Sequence, residues 1–353
     1  MGLFDDVLKD SESLFKNEVS LDSSFQPKKI SHRENENQEI ANCIKPLFDK
    51  RNGKNLLIHG EPGIGKTLAC RKVLEELEET TDDVIPIYVN CWKKDTSYKV
   101  VVEICSLIGY KLIQNKKTDE LLDIVTQRLN KKSVVFILDE VDKLTDYSFL
   151  YSISEDIYRK SIIMITNDKN VLHKFEPRLK SRLIPEILEF RPYSLSETRD
   201  ILKQRLEYAF YPSIMDQRAF DKIVEKTFEL KDIRLGLFLL KEAGNFAEEK
   251  ASKKIIEEHA LKAIDKLREY NKPLELDDDE SSILELIKLN PEKTTPELYG
   301  LYQKQGGDKT DRTFHRKLKN LERAKLISIN EVEDTHGKSF KIKAEIEKKI
   351  SDF

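Results

Sequence analysis

Between Ser31 and Pro192 five short apolar runs recur, Leu56 to His59, Val84 to Asn90, Val134 to Leu138, Ile162 to Thr166 and Ile187 to Phe190, and longer helical patterns separate most of them. Short apolar runs without alternation read as strands buried on both faces, and strands alternating with helices imply a parallel sheet covered on each side. Upstream, residues 1–25 are a polar, mixed arm, and a helix starts near His32, carried by Ile40, Ile44, Leu47 and Phe48 at helical spacing. Past Pro192 the texture changes: Ser194 to Tyr208, Asp216 to Phe228, Asp232 to Glu249 and Lys254 to Tyr270 are amphipathic helical patterns with no strand between them.

Asn271-Lys272-Pro273 breaks the last of these helices, and Asp277-Asp278-Asp279-Glu280 reads either as a solvated linker or as the acidic first turn of a new helix. Helical patterns at Ser281 to Leu289, Thr295 to Lys304 and Thr310 to Ala324 precede two strands, Leu326 to Asn330 and Ser339 to Lys343, around His336-Gly337. That order is the order of a winged helix. The predicted organisation is therefore an arm (1–25), an α/β domain (26–192), a small helical domain (193–272), a linker (273–280) and a winged helix (281–353).

The 353 residues exceed what one ordinary core holds, which agrees with several domains. With 35% charged and 39% hydrophobic residues the chain lies in the globular range. Its longest apolar runs, Val134 to Leu138 and Ile162 to Ile165, fall far short of the roughly 20 residues of a membrane span. No transmembrane segment is expected, and the Asp5-Asp6 pair stands where a secretory signal is basic, so the expected location is the cytoplasm. Cys43, Cys70, Cys91 and Cys105 lack metal-ligand or C-x-x-C spacing and read as buried free thiols. A formal net charge of −3 leaves nucleic-acid binding to a local basic face.

Gly60-Glu61-Pro62-Gly63-Ile64-Gly65-Lys66-Thr67, with a strand before it and a helical run from Leu68 after it, has the pattern and the context of a phosphate-binding loop. Glycines let backbone N–H groups wrap a β-phosphate, Lys66 bridges the terminal phosphates, and Thr67 ligates magnesium. Val134 to Leu138 ends in Asp139-Glu140, which places Asp139 to hold the metal and Glu140 to polarise an attacking water; the plainer alternative is two acids that start a helix. One strand later, Asn167 either contacts that water or the γ-phosphate, or serves as a turn and cap residue. Arg178 and Arg182, in Pro177-Arg178-Leu179-Lys180-Ser181-Arg182, can reach the γ-phosphate of a neighbouring subunit or form ordinary surface ion pairs.

In this order these residues, with the helical domain and its Arg234, resemble the AAA+ ATPases: Walker A, Walker B, sensor 1, box VII and sensor 2. Tyr88-Val89-Asn90-Cys91, Thr96-Ser97-Tyr98-Lys99-Val100 and Phe190-Arg191-Pro192-Tyr193-Ser194 are more specifically similar to the archaeal relatives of the origin-recognition complex and its helicase-loading partner, from about Phe15 to the C-terminus. The resemblance implies a helical lid, sensor 2 at Arg234, and slow hydrolysis that acts as a conformational switch. It further implies ATP or ADP with Mg2+ as cofactor. Its Pro-x-x-Arg-Glu segment near the adenine survives only as Arg33-Glu34, so an adenine contact at His32 or Arg33 stands beside a Ser31-x-x-Glu34 capping box. Its Gly-Asp-x-Arg appears as Lys231-Asp232-Ile233-Arg234. Its initiator-specific insertion falls within Trp92 to Lys117, with no contacts assigned.

In the third domain Lys304, Lys309, Arg312, Arg316, Lys317, Lys319, Arg323 and Lys325 surround one helix whose apolar stripe is Phe314, Leu318 and Leu321. Thr310, Arg312, Thr313, Arg316 and Lys317 lie on its early turns, the part of a recognition helix that reaches bases or phosphates, with Lys319 one turn on and Lys338 in the wing. A solvated basic face or a protein-binding winged helix is the alternative. Taken together, the expected protein binds double-stranded DNA at replication origins and recruits or loads the replicative helicase, with other initiator paralogues as further partners and no membrane. A nucleotide-gated transcription regulator and a ring-forming DNA remodeller are the other readings.

Overall fold

All five apolar runs become strands of one parallel sheet: β1 (Leu56–His59), β2 (Val84–Asn90), β3 (Ser133–Asp139), β4 (Lys160–Thr166) and β5 (Glu186–Glu189), in the order β2-β3-β4-β1-β5. The computed structural model describes residues 13–27, 30–270, 277–291, 293–324, 326–334 and 337–344. Two compact units divide the chain, Met1–Ile264 and Asp265–Phe353.

In the first unit, side chains alternate across the sheet. Leu57, Phe136, Leu138 and Met164 enter one apolar cluster with α3 (Ser97–Leu107), α4 (Thr118–Leu129), α5 (Ser148–Asp156) and α6 (Pro177–Leu183). Leu56, Ile58, Val135 and Ile137 enter the other with α1 (Glu34–Ile44) and α2 (Lys66–Thr80). β3 is buried along its whole length, and removing a ring such as Phe136 costs about 3–5 kcal/mol. The pairing of Asn90 with Asp139 sets the C-terminal ends of β2 and β3 level, beside the loop that follows β1.

The lid is α7 (Leu195–Ala209), α8 (Gln217–Leu230), α9 (Ile233–Glu249) and α10 (Glu257–Tyr270), opened by a capping box between Ser194 and Glu197. The described part of the arm lies on this lid. The Phe15 ring packs tilted against Phe210 with centroids 4.7 Å apart, the Lys16 amide donates to the Ala209 carbonyl at 2.7 Å, and Arg205 donates to the carbonyls of Ser20 and Phe25, each at 3.1 Å.

The second unit holds α11 (Asp278–Leu289), β6 (Lys293–Thr294), α12 (Thr295–Lys304), α13 (Asp311–Arg323), β7 (Ile327–Asp334) and β8 (Gly337–Ala344), with sheet order β6-β8-β7 around Ile287, Leu298, Phe314, Leu318 and Ile342. Asp277 caps α11 in a capping box with Glu280, so the acidic run from Asp277 is a helix start and not a linker. The helix break at residues 271–273, the Lys325 of the basic set and the His336 of the wing lie outside the described residues. All four cysteines are buried and free. Among the described residues no helix is long and apolar enough to cross a membrane.

Candidate functional site

The loop after β1 turns through left-handed backbone at Gly63 (φ 73°) and Gly65 (φ 90°), where any side chain is strained. Space forbids one as well: a Cβ on Gly63 overlaps the Asp232 carboxylate, and one on Gly65 stands 2.9 Å from the Tyr193 hydroxyl. Lys66 opens α2 with its side chain buried, and its Nζ donates to the carbonyls of Gly60 (2.9 Å) and Glu61 (2.8 Å) and to Asn167 Oδ1 (2.8 Å). Burial brings its ammonium down to about 8, against the pull of Asp139. Such a cation, ringed by oxygen acceptors, suits phosphate oxygens.

Asp139, at the end of β3, is 2% exposed. Its Oδ2 accepts from Thr67 Oγ1 and from the Tyr88 hydroxyl, each at 2.7 Å, while its buried Oδ1 has no protein partner. A hydroxyl and a carboxylate so paired, with one oxygen lacking a protein partner, are the oxygen donors a magnesium ion takes. Glu140 follows in left-handed backbone (φ 58°) at the N-cap position of a one-turn helix, Val141–Lys143, without a side-chain cap. Burial, helped by Asp139 and Asp142, holds its carboxyl above the usual range, as suits a base. Asp142, which carried no expectation, accepts from Thr166 Oγ1 (2.9 Å) and the Asn167 amide (3.4 Å) and so fixes Asn167 beside Lys66.

From the lid, the start of α9 reaches this loop. The Ile233 amide donates to the Gly63 carbonyl at 3.2 Å, and Asp232, 3% exposed, caps α9 through the Arg234 amide at 2.8 Å. The Arg234 guanidinium turns back onto Asp232 Oδ2 at 2.8 Å. Lys231 takes left-handed backbone (φ 55°), a conformation that favours glycine, and its Nζ faces Glu61 at 3.6 Å.

Arg33 is buried, with Nη2 donating to the carbonyls of Ile64 (3.0 Å) and Arg191 (2.7 Å) and its guanidinium carbon 4.0 Å from the centre of the Tyr193 ring, so its side chain braces the phosphate loop. Ser31 does not cap α1, because Arg33 holds the N-cap position without a side-chain cap. His32 pairs with Asp200 of α7 at 3.3 Å. Arg182 forms the ordinary ion pair, with Glu155 at 2.5 Å, whereas Arg178 is exposed and makes no ion pair among the described residues.

In the second unit α13 buries Phe314, Leu318 and Leu321 as its stripe predicts, and Arg312, Arg316 and Lys319 are exposed. Thr310 caps the helix, accepting from the Thr313 amide. Lys317 is a correction: it is 8% exposed and its ammonium pairs with Asp277, with Asp279 at 3.8 Å. It lies one turn after Phe314 and flanks the apolar stripe, which carries it inward. Lys309 is likewise paired, with Asp308 at 2.9 Å. Lys338 enters β8 opposite Glu333.

A family model described as an AAA domain matches residues 49–171, and one described as a Cdc6 AAA+ ATPase-type lid domain matches residues 199–265. The ORC1-type DNA replication protein of Pyrococcus horikoshii is 33% identical over 287 residues, 76% of this chain and 68% of that one. ORC1-type DNA replication protein 2 of Methanothermobacter thermautotrophicus is 29% identical over 342 residues, 91% of this chain and 89% of its own. Among solved structures, the Aeropyrum pernix ORC1 protein in complex with DNA superposes with a TM-score of 0.69 at 26% identity, covering 94% of each chain.

Proposed function

This chain belongs to the ORC1-type DNA replication protein family, and from that premise we propose that it is an ATP-dependent switch which binds double-stranded DNA at replication origins and recruits or loads the replicative helicase. The observation that carries the reading is the seam between lid and phosphate loop. There the α9 start is bonded to Gly63 and Arg234 is held by Asp232 within the same cluster of charges as Lys66 and Glu140. A γ-phosphate that draws Arg234 from Asp232 acts directly on the helix that joins lid to loop.

ATP with magnesium supplies the cleavable phosphate bond and its neutralising charge. The backbone of Gly60 to Thr67 and of Leu68, with Lys66, holds the phosphates, and Thr67 and Asp139 hold the metal. Glu140 takes the proton of the attacking water, Asn167 orients it, and Arg234 reads the terminal phosphate. His32 remains the residue proposed at the adenine. Hydrolysis is slow and resets the switch, and Arg178, exposed, is the better placed of the two arginines to act on a neighbouring subunit, an initiator paralogue included. Arg312, Arg316 and Lys319 contact the duplex with the Thr310–Thr313 turn, and Lys338 adds a wing contact. The protein works in the cytoplasm at the nucleoid.

Capture of the replicative helicase on origin duplex, with ATP or ADP and with wild type or Lys66→Ala, tests the reading. Helicase retention that depends on ATP and on Lys66 is expected; retention indifferent to both rejects the switch.

A further inference from the structure

Tyr88 stands in a motif that so far marks only kinship, yet its hydroxyl donates to Asp139 Oδ2 at 2.7 Å. The same oxygen accepts from Thr67, and the other, Oδ1, is buried without a protein partner. Two donors on one oxygen fix the plane of the carboxylate and leave Oδ1 as its acceptor without a protein partner. The ring is itself held, because the Arg71 guanidinium lies 4.4 Å over it. Arg71 follows Thr67 by four residues on α2, so both side chains project from one face of that helix. Strand β2 places Tyr88 two residues before Asn90, the residue level with Asp139.

We propose that Tyr88 is a positioning residue for magnesium: it orients Asp139 so that Oδ1 faces the metal shell, and Arg71 clamps its ring. This rests on the nucleotide-binding reading of the site. A purely structural tyrosine there contributes to stability but leaves the metal dependence of nucleotide binding untouched.

The test is binding of a fluorescent ATP analogue by the full chain, titrated with Mg2+ from an EDTA-treated start, for wild type, Tyr88→Phe and Arg71→Met. Tyr88→Phe keeps the ring and loses only the hydroxyl. The expected result is unchanged affinity in EDTA with a Mg2+ half-saturation raised roughly tenfold, the scale of losing a partner that orients a metal-site ligand. Arg71 is exposed, so its replacement leaves the fold intact, and Arg71→Met is expected to shift the same midpoint about twofold to threefold. Should Tyr88→Phe not fold, the Arg71→Met midpoint decides. A midpoint within experimental error of wild type in the folded variants overturns the proposal while nucleotide binding stands. Wild type that binds no analogue overturns both the inference and the reading beneath it.

Discussion

Replacing Asp232 with asparagine separates the two tasks this residue performs. Asparagine caps a helix as well as aspartate does, so the bond from the Arg234 amide, 2.8 Å in the native protein, is kept and α9 stays folded. What goes is the ion pair to the Arg234 guanidinium at 2.8 Å, in which the arginine side chain is 42% exposed. A pair so open to solvent is worth about 1 kcal/mol, and that is the cost a γ-phosphate must meet to take Arg234 over. Removing it is expected to raise the ratio of ATP to ADP affinity about fivefold, since about 1.4 kcal/mol corresponds to a factor of ten. Loss of the negative charge beside Gly63 strengthens both nucleotides, and ATP the more for its extra phosphate charge, which adds to the rise in the ratio. Isothermal titration of both nucleotides measures it. A ratio equal to or below that of wild type, in a variant of normal thermal stability, refutes the idea that Asp232 competes with the phosphate for Arg234.

Glu140→Gln is expected to bind ATP as wild type does and to lose hydrolysis in a steady-state assay. Because the Glu140 carboxyl is raised, the wild-type rate should fall with decreasing pH from a point above the ordinary carboxylate range. Lys66, lowered to about 8, must be protonated to hold phosphate, so nucleotide affinity should be flat below that pH and decline by up to about tenfold per unit above it, with proton uptake on binding measurable in buffers of different ionisation enthalpy. In the second unit Arg312→Ala should lower the salt slope of duplex binding by about one counterion, while Lys317→Ala, which breaks an inward ion pair, should lower thermal stability and leave that slope alone; a slope change for Lys317 returns it to the DNA face.

The sheet and the phosphate loop were legible because their signals are local: each apolar run carries its own strand, and the glycine spacing from Gly60 to Gly65 carries its own turn. The winged-helix order was equally plain, apart from β6, whose two residues carry no pattern of their own. Charge alone turns Lys317 outward. Helical spacing from Phe314 and an acidic cap forty residues earlier decide the matter, and only the first is local in sequence. Contacts between distant segments left no trace in the sequence. Arg205 on the carbonyls of Ser20 and Phe25, Arg33 behind Ile64 and Asp232 against Gly63 each join segments that composition and periodicity treat separately. At Lys231, where the resembled motif has glycine, the residue type does not disclose the backbone: lysine adopts the left-handed conformation, at a cost of about 1 kcal/mol.

Whether the duplex this protein selects is a replication origin is decided by mapping its bound sites across the genome, in cells carrying the wild type and in cells carrying Arg312→Ala/Arg316→Ala. Peaks that coincide with replication starts, and that fade in the double variant while the protein stays folded, are the predicted result. Peaks confined to promoters, or a pattern unchanged by loss of both arginines, contradict an origin-binding initiator that reads DNA through α13.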